Sequence, residues 1–251
     1  MKRMLRNLIS NAFYRFNVLR GVTHKGVRIL CYHRVNEISG DYLTVPYQNF
    51  EMQMHHLAKA RYRTVGLENI LKGEMTGREI VVTFDDGYLD NYEYAFSVMR
   101  KYGFVGTIFC VLDHIGKADY LGLDHICEMA QSGFSFGCHT KTHPHLPEIG
   151  IDQKGIEIVQ AKKALEDLTG LPIQYFCYPY GEFDPESVSV VKEAGFFGAC
   201  TNIPGANRAI DAFRLERTEI SPEDSIDDFR KKLAGGFDFM HRALHAVRGR
   251  S

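Results

Sequence analysis

A chain of 251 residues is long enough for one large domain with a substantial core. Its 45% hydrophobic and 24% charged residues are those of an ordinary globular protein, and a formal net charge of -1 gives no global signal for a nucleic-acid partner. No stretch of about 18 apolar residues is present, which excludes a membrane-crossing helix.

Taken in order, the first 20 residues carry Leu5, Leu8, Ile9, Ala12, Phe13, Phe16 and Leu19 at helical spacing, flanked by Lys2, Arg3, Arg6 and Arg20. Such a basic amphipathic arm, residues 1–26, suits either an anionic membrane surface or packing on its own domain. Arginines and asparagines interrupt its apolar residues, so it does not read as a secretion signal. The expected location is the cytoplasm, with peripheral contact at the inner membrane face through residues 1–20. Six scattered cysteines, none in a CxxC pair, read as buried free thiols of a reducing compartment.

From residue 27 onward, strand-like and helix-like segments alternate. Val27 to Tyr32, Ile80 to Phe84, Val105 to Cys110, Phe134 to Cys138, Gln174 to Tyr178 and Phe196 to Cys200 are short apolar runs without two-residue alternation. Strands buried on both faces look like this. Between them, Ala95, Val98, Met99 and Tyr102 recur at helical spacing, as do Leu123, Ile126, Cys127 and Ala130, while Ile158, Ala161, Leu165 and Leu168 form a looser stripe. Asp184-Pro185 predicts a helix N-cap followed by proline in the first turn. Gly103-Phe104, Gly133-Phe134 and Gly195-Phe196 repeat one device, a left-handed helix cap leading directly into a strand. Repeated βα units imply one α/β domain, 27–220, built on a parallel sheet or barrel. A helical tail, 221–251, follows.

Polar clusters stand at the C-terminal ends of predicted strands, where parallel α/β folds assemble their sites. Thr83-Phe84-Asp85-Asp86-Gly87-Tyr88 places two adjacent carboxylates there, and they repel unless a cation or proton sits between them. One can ligate a metal while the other takes a proton from metal-bound water; in isolation the same residues also make a solvated turn. His139-Thr140-Lys141-Thr142-His143 places two imidazoles four apart, as on one helical turn, a spacing that can chelate one ion, and Pro144 limits how far a helix could extend, fixing the pair in a loop. Two His and one Asp form a usual set for catalytic zinc, although HxxxH alone is weak. Phe176-Cys177-Tyr178-Pro179-Tyr180-Gly181 offers aromatic rings that suit the apolar faces of a sugar or simply pack in a turn. Tyr32-His33-Arg34 ends the first predicted strand.

The succession TFDDG, HTxxH and aromatic-Pro-Tyr-Gly resembles the polysaccharide deacetylases of carbohydrate esterase family four, over roughly Val27 to Ile220. The resemblance implies a distorted (β/α) barrel with fewer than eight units. It implies Asp85 as general base, Asp86, His139 and His143 as ligands of a divalent metal, and the Tyr180 N–H as an oxyanion donor. Zinc is expected, with cobalt, nickel or iron as alternatives. Three departures stand out. Cys177 occupies the place of an arginine that orients the base, no tryptophan is present, and Leu244-His245 is a poor match to the usual C-terminal histidine motif. His33 resembles the permuted histidine of the subgroup acting on poly-N-acetylglucosamine, and is expected to donate a proton from opposite the base. Arg208, Arg214 and Arg217 are candidates for the displaced arginine. The implied activity is metal-dependent removal of N-acetyl groups from a poly- or oligosaccharide, free or lipid-linked. A hydrolase of another amide, such as a cyclic imide or ureide, and a non-catalytic carbohydrate-binding relative are the alternatives. The sequence leaves the oligomeric state open.

Overall fold

The computed structural model describes residues 26–38, 40–73 and 77–247. The expectations for residues 1–20 lie outside the described residues. The strands are β1 (Ile29–Tyr32), β2 (Arg34–Asn36), β3 (Thr44–Pro46), β4 (Arg63–Thr64), β5 (Glu79–Phe84), β6 (Thr107–Cys110), β7 (Ser135–Cys138), β8 (Tyr175–Cys177), β9 (Gly198–Pro204) and β10 (Leu215–Glu219). The helices that matter below are α1 (Tyr47–Lys59), α2 (Leu67–Lys72), α3 (Ser97–Lys101), α4 (Leu123–Gln131), α5 (Ile151–Lys154), α6 (Ala161–Thr169), α7 (Pro185–Glu193), α8 (Ile226–Leu233) and α9 (Asp238–Val247).

Strands pair in the order β1-β10-β9-β8-β7-β6-β5, and β5 returns to β1. The result is a closed parallel barrel of seven strands, one fewer than the eight-unit fold, with β4 added to β5. All six predicted strands are present in it. The seventh, β10, has no apolar run to predict it.

Alternation along each strand divides the core in two. Leu30, Tyr32, Val82, Phe84, Ile108 and Phe176 belong to the layer shared with the surrounding helices. Ile29, Val81, Phe109, Tyr175, Cys177, Cys200 and Leu215 form a second cluster inside the barrel, together with Leu67 and Ile70 of α2. Each such apolar side chain contributes roughly 1.5–3 kcal/mol by leaving water. The interior leaves little spare room. A Cβ at Gly137 would fall 2.5 Å from the Phe109 ring, so only glycine fits there.

Local signals behave as their chemistry dictates. The Asp184 carboxylate accepts the Ser187 N–H at 2.7 Å and caps α7, with Pro185 in the first turn. Gly103, Gly133 and Gly195 all take positive φ before the next strand. The His139 to His143 pair lies in a loop, as Pro144 directly after it leads one to expect. Thr140 and His143 both adopt left-handed φ of 67°, and the segment is an irregular loop. Residues 226–247 form α8 and α9, which dock on the barrel through Arg28. Its guanidinium reaches both Asp238 oxygens at 3.0 Å and the Leu233 carbonyl at 3.1 Å.

Candidate active site

Because all seven strands run parallel, their C-terminal ends share one rim. Inward-facing positions along a strand are two residues apart, so Ile29, Cys31 and His33 of the β1 line rise from apolar floor to polar mouth. Val81, Thr83 and Asp85 do the same on the β5 line, and Leu215, Arg217 and Glu219 along β10. The interior is therefore apolar below and ionisable above.

Asp85 is 2% exposed, and Arg217 is 1% exposed directly beside it. The guanidinium donates to Oδ1 and Oδ2, each at 2.7 Å. Its remaining N–H groups reach the Thr201 carbonyl at 2.8 Å, Asn202 Oδ1 at 2.6 Å and Thr83 Oγ1 at 3.3 Å. All five donors of the fork are thereby satisfied, which makes a buried cation tolerable here. A register shift between β9 and β10 lies at this point, and such a bulge re-aims a side chain. Burial pushes the Asp85 carboxyl up, but the charge and hydrogen bonds of Arg217 overcome it and hold the group well below the usual carboxylate range. Of the three candidate arginines, Arg217 alone meets Asp85. Arg214 pairs with Asp211 instead, and Arg208 is exposed.

Cys177, in the place expected for arginine, also touches Asp85. Its sulfur and that of Cys31 both lie 3.6 Å from Asp85 Oδ2. Burial raises both thiols, so they stand there as neutral S–H donors.

Asp86 follows in a left-handed conformation, φ 70°, and Gly87 continues it at φ 73°. A Cβ at Gly87 would sit 3.1 Å from the Cys110 sulfur, a close approach that favours glycine. The turn brings Asp86 Oδ1 to 3.5 Å from His139 Nε2 and 3.4 Å from His143 Nε2. Those separations are too long for good hydrogen bonds. They match the edge of a tetrahedron with ligand bonds of about 2.0–2.2 Å, roughly 3.3–3.6 Å. His139 Nδ1 lies 2.7 Å from the Cys177 carbonyl, which fixes the proton on Nδ1 and frees Nε2 to ligate. Burial first, then the neighbouring His139, pushes His143 down and keeps it in the neutral form that binds metals. The three residues fit a divalent cation. Cys31 with His33, and Cys177 with His139, also gather near Asp85, but Arg217 already occupies that carboxylate.

The loop carrying the histidines is held from behind by Glu157, a residue that sequence reasoning missed. Its carboxylate accepts the Lys141 N–H at 2.9 Å, the Thr142 N–H at 2.8 Å and the Thr142 hydroxyl at 2.8 Å. The available signal was a carboxylate next to Ile158 in an otherwise apolar helical stripe.

Tyr180 also adopts positive φ, 58°, and with Asp86, Thr140 and His143 makes four left-handed non-glycine residues around one site. Such conformations cost of order 1 kcal/mol or more each and concentrate where function needs them. The Tyr180 ring packs against His143, centroids 4.6 Å apart, and stacks on His145 at 4.0 Å.

His33 lines the same pocket, and its Nε2 is 3.9 Å from Asp85 Oδ2. The expectation that it stands opposite the base is corrected. Strands β1 and β5 pair with Tyr32 beside Phe84, so His33 and Asp85 leave the barrel side by side.

A family model for polysaccharide deacetylases matches residues 72–199 of this sequence. The chain belongs to the polysaccharide deacetylase family. YxkH of Bacillus subtilis, itself named as a polysaccharide deacetylase, is 32% identical over 200 residues, 77% of this chain and 71% of that protein. A poly-beta-1,6-N-acetyl-D-glucosamine N-deacetylase of Staphylococcus aureus is 26% identical over 174 residues, 61% of this chain and 59% of that protein. Among solved structures, the polysaccharide deacetylase BC0361 of Bacillus cereus superposes with a TM-score of 0.75 at 29% identity, over 83% of this chain and 69% of that one.

Proposed function

We propose that this polysaccharide deacetylase is a metal-dependent hydrolase that removes N-acetyl groups from an N-acetylated glycan. The observation that carries the reading is the adjacency of two differently treated carboxylates. Asp85 is locked and kept ionised by Arg217, while Asp86 faces Nε2 of His139 and of His143. A divalent cation held by Asp86, His139 and His143, zinc by the donor set, would supply Lewis acidity to the acetyl carbonyl and to water.

The chain's own groups then divide the work. Asp85 takes the proton of the attacking water. Its low proton affinity suits a water whose acidity a cation has raised, and Arg217 keeps its lone pairs aimed. The Tyr180 N–H, turned by its left-handed backbone, donates to the developing oxyanion. His33, beside the base, protonates the departing nitrogen. With acid and base 3.9 Å apart, the proton collected by one has a short path to the other.

Acetate and free amine released from N-acetylglucosamine oligomers by the metal-loaded protein test the reading. Asp85→Asn is expected to keep the metal and lose roughly 10²–10⁴-fold in turnover. Stoichiometric metal with no amine from any N-acetylated sugar would refute it.

A further inference from the structure

The mouth of the barrel is a pocket of about 590 Å³, in the range of sites for compact ligands. Its floor is the ionisable set described above. Exposed apolar side chains also line the pocket: Tyr42, Tyr180 and Leu244 are 81%, 42% and 50% exposed.

The backbone that carries two of the three is anchored. Tyr42 is the tip of a turn in which the Asp41 carboxylate accepts the Leu43 N–H at 3.0 Å and the Thr44 hydroxyl at 2.7 Å. Leu244 belongs to α9, which lines the pocket with His241 and Leu244, one turn apart, and with Phe237 just before its first turn. That helix is pinned at its start by the Arg28–Asp238 pair. It is pinned again where Arg242 donates to the Pro204 carbonyl at 2.9 Å and pairs with Glu216. It is a fixed wall.

We infer that α9 is an end-stop, and that the site takes the terminal unit of a glycan chain or a short glycan in preference to interior units of a long polymer. An interior unit needs a groove open at both ends. Here Tyr42 and Tyr180 line the mouth, where a sugar can pack, and α9, with Phe237 just before it, walls the site through His241 and Leu244. The inference rests on the deacetylase reading and specifies its substrate class.

The test uses the full chain loaded with zinc and N-acetylglucosamine oligomers of one to six units, in β-1,4 and β-1,6 linkage, labelled at the reducing end. The expected kcat/KM rises up to two units and then stays within about twofold, and fragmentation mass spectrometry finds the first free amine on a terminal unit. In His241→Ala/Leu244→Ala, which leaves the Arg28–Asp238 anchor intact, the amine is expected to spread to interior units. Values of kcat/KM that climb tenfold or more beyond three units, with amines on interior units of the unaltered protein, would overturn the end-stop while leaving the deacetylase reading standing. No amine at any length would overturn both.

Discussion

Arg217 and Asp85 come from strands that are not neighbours in the barrel, β10 and the end of β5, yet they meet in a two-bond ion pair at 2.7 Å. The geometry fixes the plane of the carboxylate, and a lysine could not reproduce it. Arg217→Lys is expected to lower kcat by about 10²-fold with little change in bound metal. Arg217→Met leaves a buried carboxylate unpaired and should cost about 3–5 kcal/mol in urea unfolding. Near-normal kcat in the lysine variant would show that the pair serves stability alone.

That pair also marks where the sequence could be read and where it could not. The strands buried on both faces announced themselves as apolar runs, and their ends carried Asp85, Asp86, His139 and His143 to one rim. Strand β10, Leu-Glu-Arg-Thr-Glu, has no such signal. Its inward positions are Arg217 and Glu219 because they face the ionisable mouth, and Thr218 is held by Arg28 on the other side. A strand that lines a polar site reads as polar. Likewise the histidine spacing and Pro144 point to a loop, but the convergence itself comes from left-handed residues and the Glu157 clamp. Neither is visible in a spacing rule.

The metal site makes a prediction of its own. His139→Ala should abolish stoichiometric zinc and, with it, the thermal stabilisation that zinc confers on the unaltered protein. A site filled to 100 times its dissociation constant stabilises by about 2.7 kcal/mol, which calorimetry with and without a chelator detects. Retention of full zinc content in this variant would remove His139 from the ligand set.

Stability should depend on acid at the entrance to α7. Lys154 is 1% exposed and donates to Asp184 at 2.8 Å and Glu186 at 2.6 Å. Burial raises the Asp184 carboxyl, but Lys154 and the Ser187 N–H outweigh that, so its folded value lies below the ordinary one. The sign follows: this contribution is present above the ordinary carboxylate pKa of about 3.9 and is lost as pH falls through the folded value. Asp184→Asn keeps a good N-cap and removes the charge. It should be less stable by roughly 0.5–1 kcal/mol at pH 7, the carboxylate being partly open to screening solvent. The two proteins should converge once the pH lies below the folded value. A difference that persists in acid would assign the effect to packing.

His33 is the proton donor to test last, because the sequence places it at the rim but not beside the base. An amine leaves poorly as its anion, so amide cleavage needs an acid at the nitrogen. An activated ester such as a nitrophenyl acetate does not. Standing 3.9 Å from Asp85 and lining the pocket, His33 can reach a leaving group bound above the base. His33→Ala should therefore lower kcat/KM on N-acetylated sugars by about 10²–10³-fold, while ester cleavage falls less than tenfold. Substrates are compared within one protein, so any loss of folded enzyme cancels. Equal losses on both would make His33 a structural neighbour of Asp85 and would leave the nitrogen to be protonated by another group of the pocket.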